Sequence, residues 1–256
     1  DDVVMYQFPD RLLCSKEELV GYMVSGLNLT SEDVVIIDRT TGVGQAIMQN
    51  AGPARIGIII HADHFSESNC NDDYILWNNY YEYAFSQNKH VDFYVTATDA
   101  QNQLLKEQFE KYLHVSPRIV TIPVGSLDEL KYPAQPRRPY SLITASRLAG
   151  EKHVNWVVAA AAQAHEQLPQ LTLDIYGKGT EEENLKDQIK RLGCTDYIHL
   201  MGQQILTEVY QDYEAYIAGS TSEGFGLTLL EAVGGGLPII GFDVRYGNQN
   251  FIDEGQ

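Results

Sequence analysis

Residues 140–152 read YSLITASRLAGEK, a short β-branched run that leads into a basic, glycine-containing turn. The run predicts a buried strand over Tyr140–Ala145, and the apolar spacing that follows the turn predicts a helix over Val154–Leu168. Strands that alternate with helices in this way are typical of parallel sheets covered on both faces. Because ligands of such sheets bind at the carboxyl ends of the strands, Arg147 and Lys152 in this turn are candidate binding residues.

The same rhythm continues to both sides of this unit and predicts an α/β protein. Towards the carboxyl end we expect strands at Leu171–Tyr176, Tyr197–Met201, Ala215–Ala218 and Pro238–Gly241, with helices at Glu181–Leu192, Glu208–Tyr213 and Leu227–Gly234. Towards the amino end we expect strands at Val3–Phe8, Val34–Asp38, Arg55–Ile60, Val91–Thr96 and Arg118–Ile122, with helices at Lys16–Leu27, Gly44–Asn50, Tyr74–Ser86 and Ala100–His114.

A proline-rich segment, residues 132–139, interrupts the rhythm with three prolines in eight residues. Proline fixes φ and removes a hydrogen-bond donor, so neither a helix nor a central strand is expected there. We interpret the segment as a linker between an amino-terminal domain, residues 1–131, and a carboxyl-terminal domain, residues 140–256. The alternative is a surface loop within one domain.

Charge and composition restrict the partners of the chain. The formal net charge of −17 comes from 18 Lys and Arg against 35 Asp and Glu, which argues against nucleic acid as a ligand. The three cysteines lie far apart without metal-ligand spacing, and no apolar run is long enough to span a membrane, so we expect a cytoplasmic protein. The missing initial methionine and the abrupt end at residues 253–256 suggest an excerpt of a longer chain.

Residues 222–231, SEGFGLTLLE, form the most distinctive stretch of the second domain. Gly224 and Gly226 allow the backbone to approach a ligand closely, and the amides of the helix that follows suit a phosphate. Glu223 in the loop and Glu231 in the helix can both face the ligand, and a carboxylate accepts hydrogen bonds from the hydroxyls of ribose or a hexose. The alternative for either residue is a helix start with an acidic side chain that complements the dipole.

Arg147 and Lys152 are the cations that a diphosphate would require in so acidic a protein. Considered alone, Arg147 with Glu151 could be a surface ion pair that contributes little. The position of both cations at the carboxyl end of a strand, on the rim expected for Glu223, favours the ligand-binding interpretation.

His61 follows the apolar run Ile56–Ile60 and is therefore expected at another strand's carboxyl end. A neutral imidazole can donate to or accept from a sugar hydroxyl. A His/Asp/His metal site with Asp63 and His64 is conceivable, but no third cluster completes it. No Asp-x-Asp triplet occurs in the chain, which disfavours metal-dependent sugar transfer of the single-sheet kind.

The pairing of Ser-Arg-Leu-x-x-Glu-Lys at 146–152 with Glu-x7-Glu at 223–231 resembles the retaining GT-B glycosyltransferases of family four. The resemblance implies two doubly wound Rossmann-like domains that face a cleft, with residues 140–256 as an incomplete nucleotide-sugar domain and 1–131 on the acceptor side. It assigns the residues as follows: Arg147 and Lys152 to the donor diphosphate, Glu223, Gly224, Phe225 and Gly226 to the donor sugar, Glu231, Leu227 and Thr228 to the nucleotide, and Gln203 and Gln204 to the base.

Other stretches, notably HADHFSE at 61–67, DYILWNNYYEY at 73–83, IPVGS at 122–126 and GFDVRYGN at 241–248, look like a narrower group. These are the catalytic subunits of the accessory-Sec O-GlcNAc transferases that modify serine-rich repeat adhesins. The resemblance implies a UDP-GlcNAc donor, no cofactor or metal, a contact of His61 with the sugar, and His64 as second choice. It also implies a non-catalytic GT-B partner subunit, peripheral membrane association through the complex, and a β-meander remnant within residues 1–30.

Three alternatives remain open on the sequence. One is a transferase for teichoic acid or another small acceptor that shares the donor site. Another is a non-catalytic GT-B subunit that binds adhesin, although such a subunit is expected to have lost Arg147, Lys152, Glu223 or Glu231. The third is a dinucleotide oxidoreductase, for which Thr41-Gly42-Val43-Gly44 is too little of the required glycine pattern.

Overall fold

The computed structural model describes residues 5–127 and 129–251, with the side chain of Asn250 excepted. The chain divides into two compact units, residues 1–122 and 123–256. Among the residues that the structure describes, no helix is both long and apolar enough to cross a membrane. The predicted start of the first strand at Val3 and Val4 and the terminal residues 253–256 lie outside the described residues.

The first unit is built on a four-stranded parallel sheet whose strand order follows the chain. The strands of this unit are β1 (Tyr6–Gln7), β2 (Leu12–Leu13), β3 (Val34–Ile37), β4 (Arg55–Ile60), β5 (Phe65–Cys70), β6 (Ile75–Trp77), β7 (Phe93–Thr96) and β8 (Ile119–Thr121). The four-stranded sheet consists of β3, β4, β7 and β8, in that order. Its helices are α1 (Lys16–Ser25), α2 (Gly44–Asn50), α3 (Glu82–Ser86) and α4 (Asp99–Gln108), which continues as a π-helical turn over Phe109–Leu113. Buried Ile58 and Ile60 of β4 lie in the core of this unit.

The predicted helix over Tyr74–Ser86 is wrong. The segment contains the hairpin strand β6, paired antiparallel to β5, and then only the five-residue helix α3. Asparagine side chains explain the difference, because the Asn71 side chain accepts hydrogen bonds from the backbone N–H groups of Asp73 and Tyr74, and the Asn78 side chain accepts one from Tyr80 N–H. These local bonds replace helical ones and produce turns on both sides of β6.

The second unit has a five-stranded parallel sheet whose strand order reverses. Its elements are β9 (Ser141–Ala145), α5 (Val154–Gln167), β10 (Thr172–Tyr176), α6 (Glu182–Arg191), β11 (Ile198–Gly202), β12 (Ala215–Ile217), α7 (Leu227–Gly234) and β13 (Ile239–Ile240). The order is β11-β10-β9-β12-β13, so the chain winds outward from β9 in one direction and then returns to add β12 on its other side. The predicted helix over Glu208–Tyr213 is reduced to a 3-10 turn at Tyr210–Asp212.

The predicted linker, residues 132–139, contacts the second unit through its arginines. The Arg137 guanidinium donates to the backbone oxygens of Tyr213, at 2.8 Å, and of Gly235, at 3.0 Å. Arg138 forms an ion pair with buried Asp174 at 2.9 Å. The division between the units accordingly falls before this segment, between Ile122 and Pro123, because these contacts tie it to the second unit.

Asp174 of β10 is the buried centre of a polar network. Its carboxylate accepts hydrogen bonds from Tyr213 Oη at 2.6 Å and from Arg138, and it pairs with His199 Nδ1 at 2.9 Å. Burial raises the pKa of Asp174, but the hydrogen bonds from Tyr213, Arg138 and His199 outweigh it and hold the pKa below its ordinary value of 3.8. The charged form is therefore the one that the fold stabilises.

We expect Asp174→Asn to lower the free energy of unfolding by about 3 kcal/mol near neutral pH, because it removes the charge from a paired, buried site. The wild-type advantage is present above pH 3.8 and is lost as the pH falls through the lower folded-state pKa. Urea unfolding measures this difference in stability, and hydrogen exchange in peptides from β10 serves as a second measurement. The exposed Asp187→Asn is the control, and a stability difference that persists unchanged at strongly acidic pH would contradict the prediction.

Candidate functional site

The carboxyl ends of β9 and β12 form the point at which the strand order of the second unit reverses. The two strands are parallel neighbours, with Leu142 opposite Ala215 and Ile143 opposite Tyr216. Helices that leave such strands in opposite directions open a crevice at this edge, where ligands of doubly wound sheets bind. The segment 146–152 continues from β9 and the loop 218–226 continues from β12, so the predicted cations and glycine loop lie at the same edge.

Lys152 and Glu223 meet at this edge. Lys152 Nζ lies 2.6 Å from Glu223 Oε1, and the two side chains are only 16% and 15% exposed. The 3-10 turn Gly150–Lys152 presents the lysine, while Glu223 is held by its backbone oxygen, which accepts from Tyr246 N–H at 2.9 Å and Gly247 N–H at 3.1 Å. An ion pair withdrawn from water in this way is expensive to separate and holds both charges at one place.

Arg147 does not join this pair. Its guanidinium forms an ion pair with Glu151 at 2.7 Å, four residues along the chain, and its side chain is 70% exposed. This is the surface pair that the sequence left as the alternative, and such pairs contribute little to stability. The backbone of Arg147 nevertheless lies at the carboxyl end of β9, so a contact of its long side chain with a ligand stays a prediction.

The start of α7 is shaped by Gly226, which has a φ of 84° and precedes the first helical residue, Leu227. A side chain at Gly226 would be strained in this left-handed conformation, and its Cβ would lie 2.9 Å from Leu229. Within the described residues, no side chain caps this helix, so its first-turn amides face the edge as donors. Gly224 and Phe225 lie in the loop just before it.

Tyr216 of β12 connects the end of β9 with the start of α7. Its buried hydroxyl lies 2.7 Å from Ala145 O and 3.0 Å from Thr228 Oγ1. The Tyr216 hydroxyl has one hydrogen to donate, and it donates this hydrogen to the Ala145 carbonyl. The Thr228 hydroxyl must therefore donate to Tyr216. Burial first, and then the charges of Glu223 and Glu231, raise the pKa of Tyr216 to about 12.

Glu231 lies on α7 one turn beyond Thr228 and accepts a hydrogen bond from Tyr210. The distance from Tyr210 Oη to Glu231 Oε2 is 2.9 Å. Glu231 borders a cavity of about 330 Å³ whose other lining residues include Ser126, Thr207 and Tyr210. The Glu231 carboxylate is therefore hydrogen-bonded to the buried Tyr210 and also borders this cavity.

Gln203 and Gln204 follow β11, the outer strand of the sheet, and both are exposed. Gln204 Nε2 donates back to Met201 O at 3.0 Å, as expected for a turn. Their contact with a base stays a prediction.

His61 lies at the carboxyl end of β4 in the first unit, as predicted. Its Nε2 lies 2.9 Å from Oδ1 of Asp38, which follows the neighbouring parallel strand β3. His64, in contrast, is fully buried and bonds to Gln108 at 2.6 Å, so it is a core histidine. Within the described residues, no group of three or more His, Cys, Asp or Glu side chains could hold a metal ion.

Sequence reasoning missed two tyrosines that support the site, Tyr210 and Tyr216, and a third, Tyr213, that belongs to the Asp174 network. Tyr210, Tyr213 and Tyr216 recur at every third residue, and all three are buried with hydrogen-bonded hydroxyls. The regular spacing in YQDYEAY was a usable signal, but the partners of the hydroxyls come from distant segments. Asp38, the partner of His61, was predicted only as the end of a strand.

Comparison with protein families matches residues 126–256 to the family "Glycosyl transferases group 1". This range covers the loop 146–152, the loop 218–226 and α7, and therefore every element of the site in the second unit.

Curated relatives and solved structures match nearly the whole chain. The UDP-N-acetylglucosamine--peptide N-acetylglucosaminyltransferase GtfA subunit of Streptococcus gordonii is 58% identical over 252 residues, which are 98% of this chain and 50% of the relative. The crystal structure of the pneumococcal O-GlcNAc transferase GtfA in complex with UDP and GlcNAc has a TM-score of 0.94 at 52% identity, over 98% of this chain and 50% of that one. A crystal structure of a GtfA/B complex has a TM-score of 0.88 at 58% identity, with the same coverage. The chain spans about half the length of the curated relatives it matches.

Proposed function

We propose, because this chain belongs to the glycosyl transferases of group 1, that its second unit binds the nucleotide sugar for a retaining transfer of N-acetylglucosamine to protein. The fold class is GT-B, with an α/β unit in each half of the chain. The donor in the proposal is UDP-GlcNAc, and the acceptor is a serine or threonine hydroxyl on a serine-rich polypeptide. The similarity to proteins named as UDP-GlcNAc transferases to peptides supports this donor and a polypeptide acceptor.

The Lys152–Glu223 pair beside the start of α7 is the observation that carries the proposal. A nucleotide sugar needs positive charge for its diphosphate and hydrogen-bond acceptors for its hydroxyls, next to each other. Lys152 and the amides of α7 supply the first, and the carboxylates of Glu223 and Glu231 supply the second. Lys152, Glu223 and the start of α7 follow the strands between which the strand order reverses, and Glu231 lies further along the same helix; this placement supports the proposal.

In the proposed reaction the acceptor oxygen forms a bond to C1 of the sugar on the face from which the phosphate departs. The bond from C1 to the phosphate oxygen breaks, its electron pair goes to the diphosphate, and the acceptor proton passes to that departing oxygen. The main contribution of the protein is then to stabilise negative charge on the leaving group, through Lys152, Arg147 and the amides of α7. Glu223 orients the sugar through its hydroxyls, with Gly224, Phe225 and Gly226 beside it.

The remaining assignments complete the proposal. Glu231 accepts hydrogen bonds from the ribose hydroxyls, and Gln203 and Gln204 contact the base. His61 contacts the sugar through Nδ1, because its Nε2 is paired with Asp38. No metal ion takes part, since Lys152 and the helix amides supply the positive charge. The whole protein acts in the cytoplasm, peripherally at the inner face of the membrane, together with a non-catalytic partner subunit. The similarity to the GtfA/B complex supports the presence of a partner subunit.

A donor and acceptor panel with the complete protein tests this function. We expect transfer from UDP-GlcNAc to a serine-rich peptide, little transfer from UDP-glucose or UDP-galactose, and the same rate in the presence of EDTA. Labelling of a poly(glycerol phosphate) acceptor in place of the peptide would identify a small-acceptor transferase instead. Peptide binding without hydrolysis or transfer of any UDP-sugar would identify a non-catalytic subunit.

A further inference from the structure

Tyr210 is a buried residue whose hydroxyl reaches Glu231 on α7. Only 1% of the residue is exposed, and its ring contacts Tyr216 with centroids 6.2 Å apart. A Cβ added at Gly235, where α7 ends, would lie 2.7 Å from the Tyr210 Cβ, so the tyrosine packs directly against the helix. The side chain has little freedom to move, and the direction of its hydroxyl is fixed by the fold.

The hydroxyl of Tyr210 donates to one oxygen of Glu231, Oε2, at 2.9 Å. Burial first, and then the charges around it, including Glu231, raise the pKa of Tyr210, so the phenol keeps its proton at physiological pH. A protonated phenol held against a carboxylate is a permanent donor, and a bond of this kind to a charged group is stronger than a neutral one.

This contact changes what Glu231 can do. A glutamate on an exposed helix face samples many rotamers, and fixing one of them costs side-chain entropy when a ligand binds. With Oε2 held by Tyr210, that cost is met when the protein folds, and Glu231 borders the cavity of about 330 Å³ beside α7. A carboxylate held in this way is suited to accept two hydrogen bonds from adjacent hydroxyls.

We propose that Tyr210 is a positioning residue for nucleotide recognition: through Glu231 it makes the site selective for nucleoside diphosphates that carry both ribose hydroxyls. The inference rests on the proposed function, since it requires a nucleotide at α7.

The test uses the complete protein and measures binding of UDP and of 2′-deoxy-UDP by calorimetry, together with kcat and KM for UDP-GlcNAc. For Tyr210→Phe we expect UDP affinity to fall about tenfold and 2′-deoxy-UDP affinity to change much less. KM should rise while kcat stays within a factor of about two, because the lost contact orients the nucleotide in ground and transition states alike. A general defect in folding would not alter the ratio between the two nucleotides.

Tyr213→Phe is the matched control, because it also removes a buried tyrosine hydroxyl that donates to a carboxylate, that of Asp174. It should leave the preference for UDP over 2′-deoxy-UDP unchanged. Glu231→Ala leaves Tyr210 in place and should abolish the preference, and adding Tyr210→Phe to it should change nothing further. If the wild-type protein binds UDP and Tyr210→Phe retains the full preference, the inference is overturned, whereas a wild-type protein that binds no UDP overturns the proposed function itself.

Discussion

Replacement of Lys152 by alanine is expected to lower turnover of the UDP-sugar about 10²- to 10³-fold, the usual effect of removing a preorganised group that stabilises developing negative charge. The same change should lower stability by about 3 kcal/mol, because it leaves Glu223 as an unpaired and mostly buried carboxylate. Steady-state kinetics and urea unfolding of the same preparation measure the two effects.

The two effects can be separated with a double variant. Lys152→Met with Glu223→Gln removes both charges and replaces them with side chains of similar length, so most of the lost stability should return. Turnover should remain low, since the leaving group still lacks the ammonium. Turnover that recovers together with stability would mean that Lys152 has only a structural role, contrary to the proposed mechanism.

Two further variants bracket the result. Lys186→Ala removes a lysine that pairs with Glu182 and Glu183 on the exposed face of α6, and it should change neither turnover nor stability. Arg147→Ala should lower turnover, because the proposal uses this guanidinium to stabilise the leaving group. It should not affect stability, because the Arg147 side chain is mostly exposed and pairs with Glu151, four residues along the chain. Unchanged turnover in Arg147→Ala would remove this residue from the site and leave Lys152 as its principal cation.

The two parallel sheets could be predicted from sequence because their strands are short apolar runs with clear boundaries, whereas the antiparallel pairs β1–β2 and β5–β6 were not predicted. Arg55–Ile60 and the helices Gly44–Asn50 and Leu227–Gly234 have the predicted bounds, since glycine or proline lies close to their ends. The failure at Tyr74–Ser86 has a local cause. Its aromatic residues fit a helix as well as a strand. The hydrogen bonds of the asparagine side chains favour the turns and the strand, and hydrophobic periodicity does not detect such bonds.

The site was only partly accessible from sequence. The convergence of Lys152 with Glu223 could be predicted, because both follow strand ends and parallel strands share one edge. Whether the Arg147 side chain points to a ligand or to Glu151 could not be predicted, since the two orientations differ little in energy at the surface. The bonds of Tyr210 and Tyr216 depend on the register between β12, α7 and β9, which is a tertiary property that no local pattern encodes.

A second large effect is expected at Gly177, the residue that follows β10. Its φ is 133°, and a Cβ at this position would lie 1.8 Å from the backbone oxygen of Ser146, an overlap that no side-chain rotation can relieve. Gly177→Ala should therefore lower the free energy of unfolding by about 3–5 kcal/mol, since the backbone of one strand end must move. The displaced segment is the one that carries Arg147.

The segment that carries Arg147 is displaced because it is hydrogen-bonded to the residues around Gly177. Ser146 N–H donates to Tyr176 O at 3.1 Å, and Leu148 N–H donates to Lys178 O at 2.9 Å, so the backbone on either side of Arg147 is held by the end of β10. Gly177→Ala should loosen both bonds. Hydrogen exchange in peptides that cover 141–148 and 172–179 should accelerate together, and turnover should fall with it.

Gly193→Ala provides the matched control for backbone conformation. Gly193 also has a positive φ, 66°, but open space surrounds the position that its Cβ would occupy. Only the conformational cost of about 1 kcal/mol is then expected, with no change in turnover. If Gly177→Ala were no more destabilising than Gly193→Ala, the contact between the ends of β9 and β10 would be adaptable. In that case the position of Arg147 would be set by its own loop, from Ser146 to Lys152, and not by the neighbouring strand.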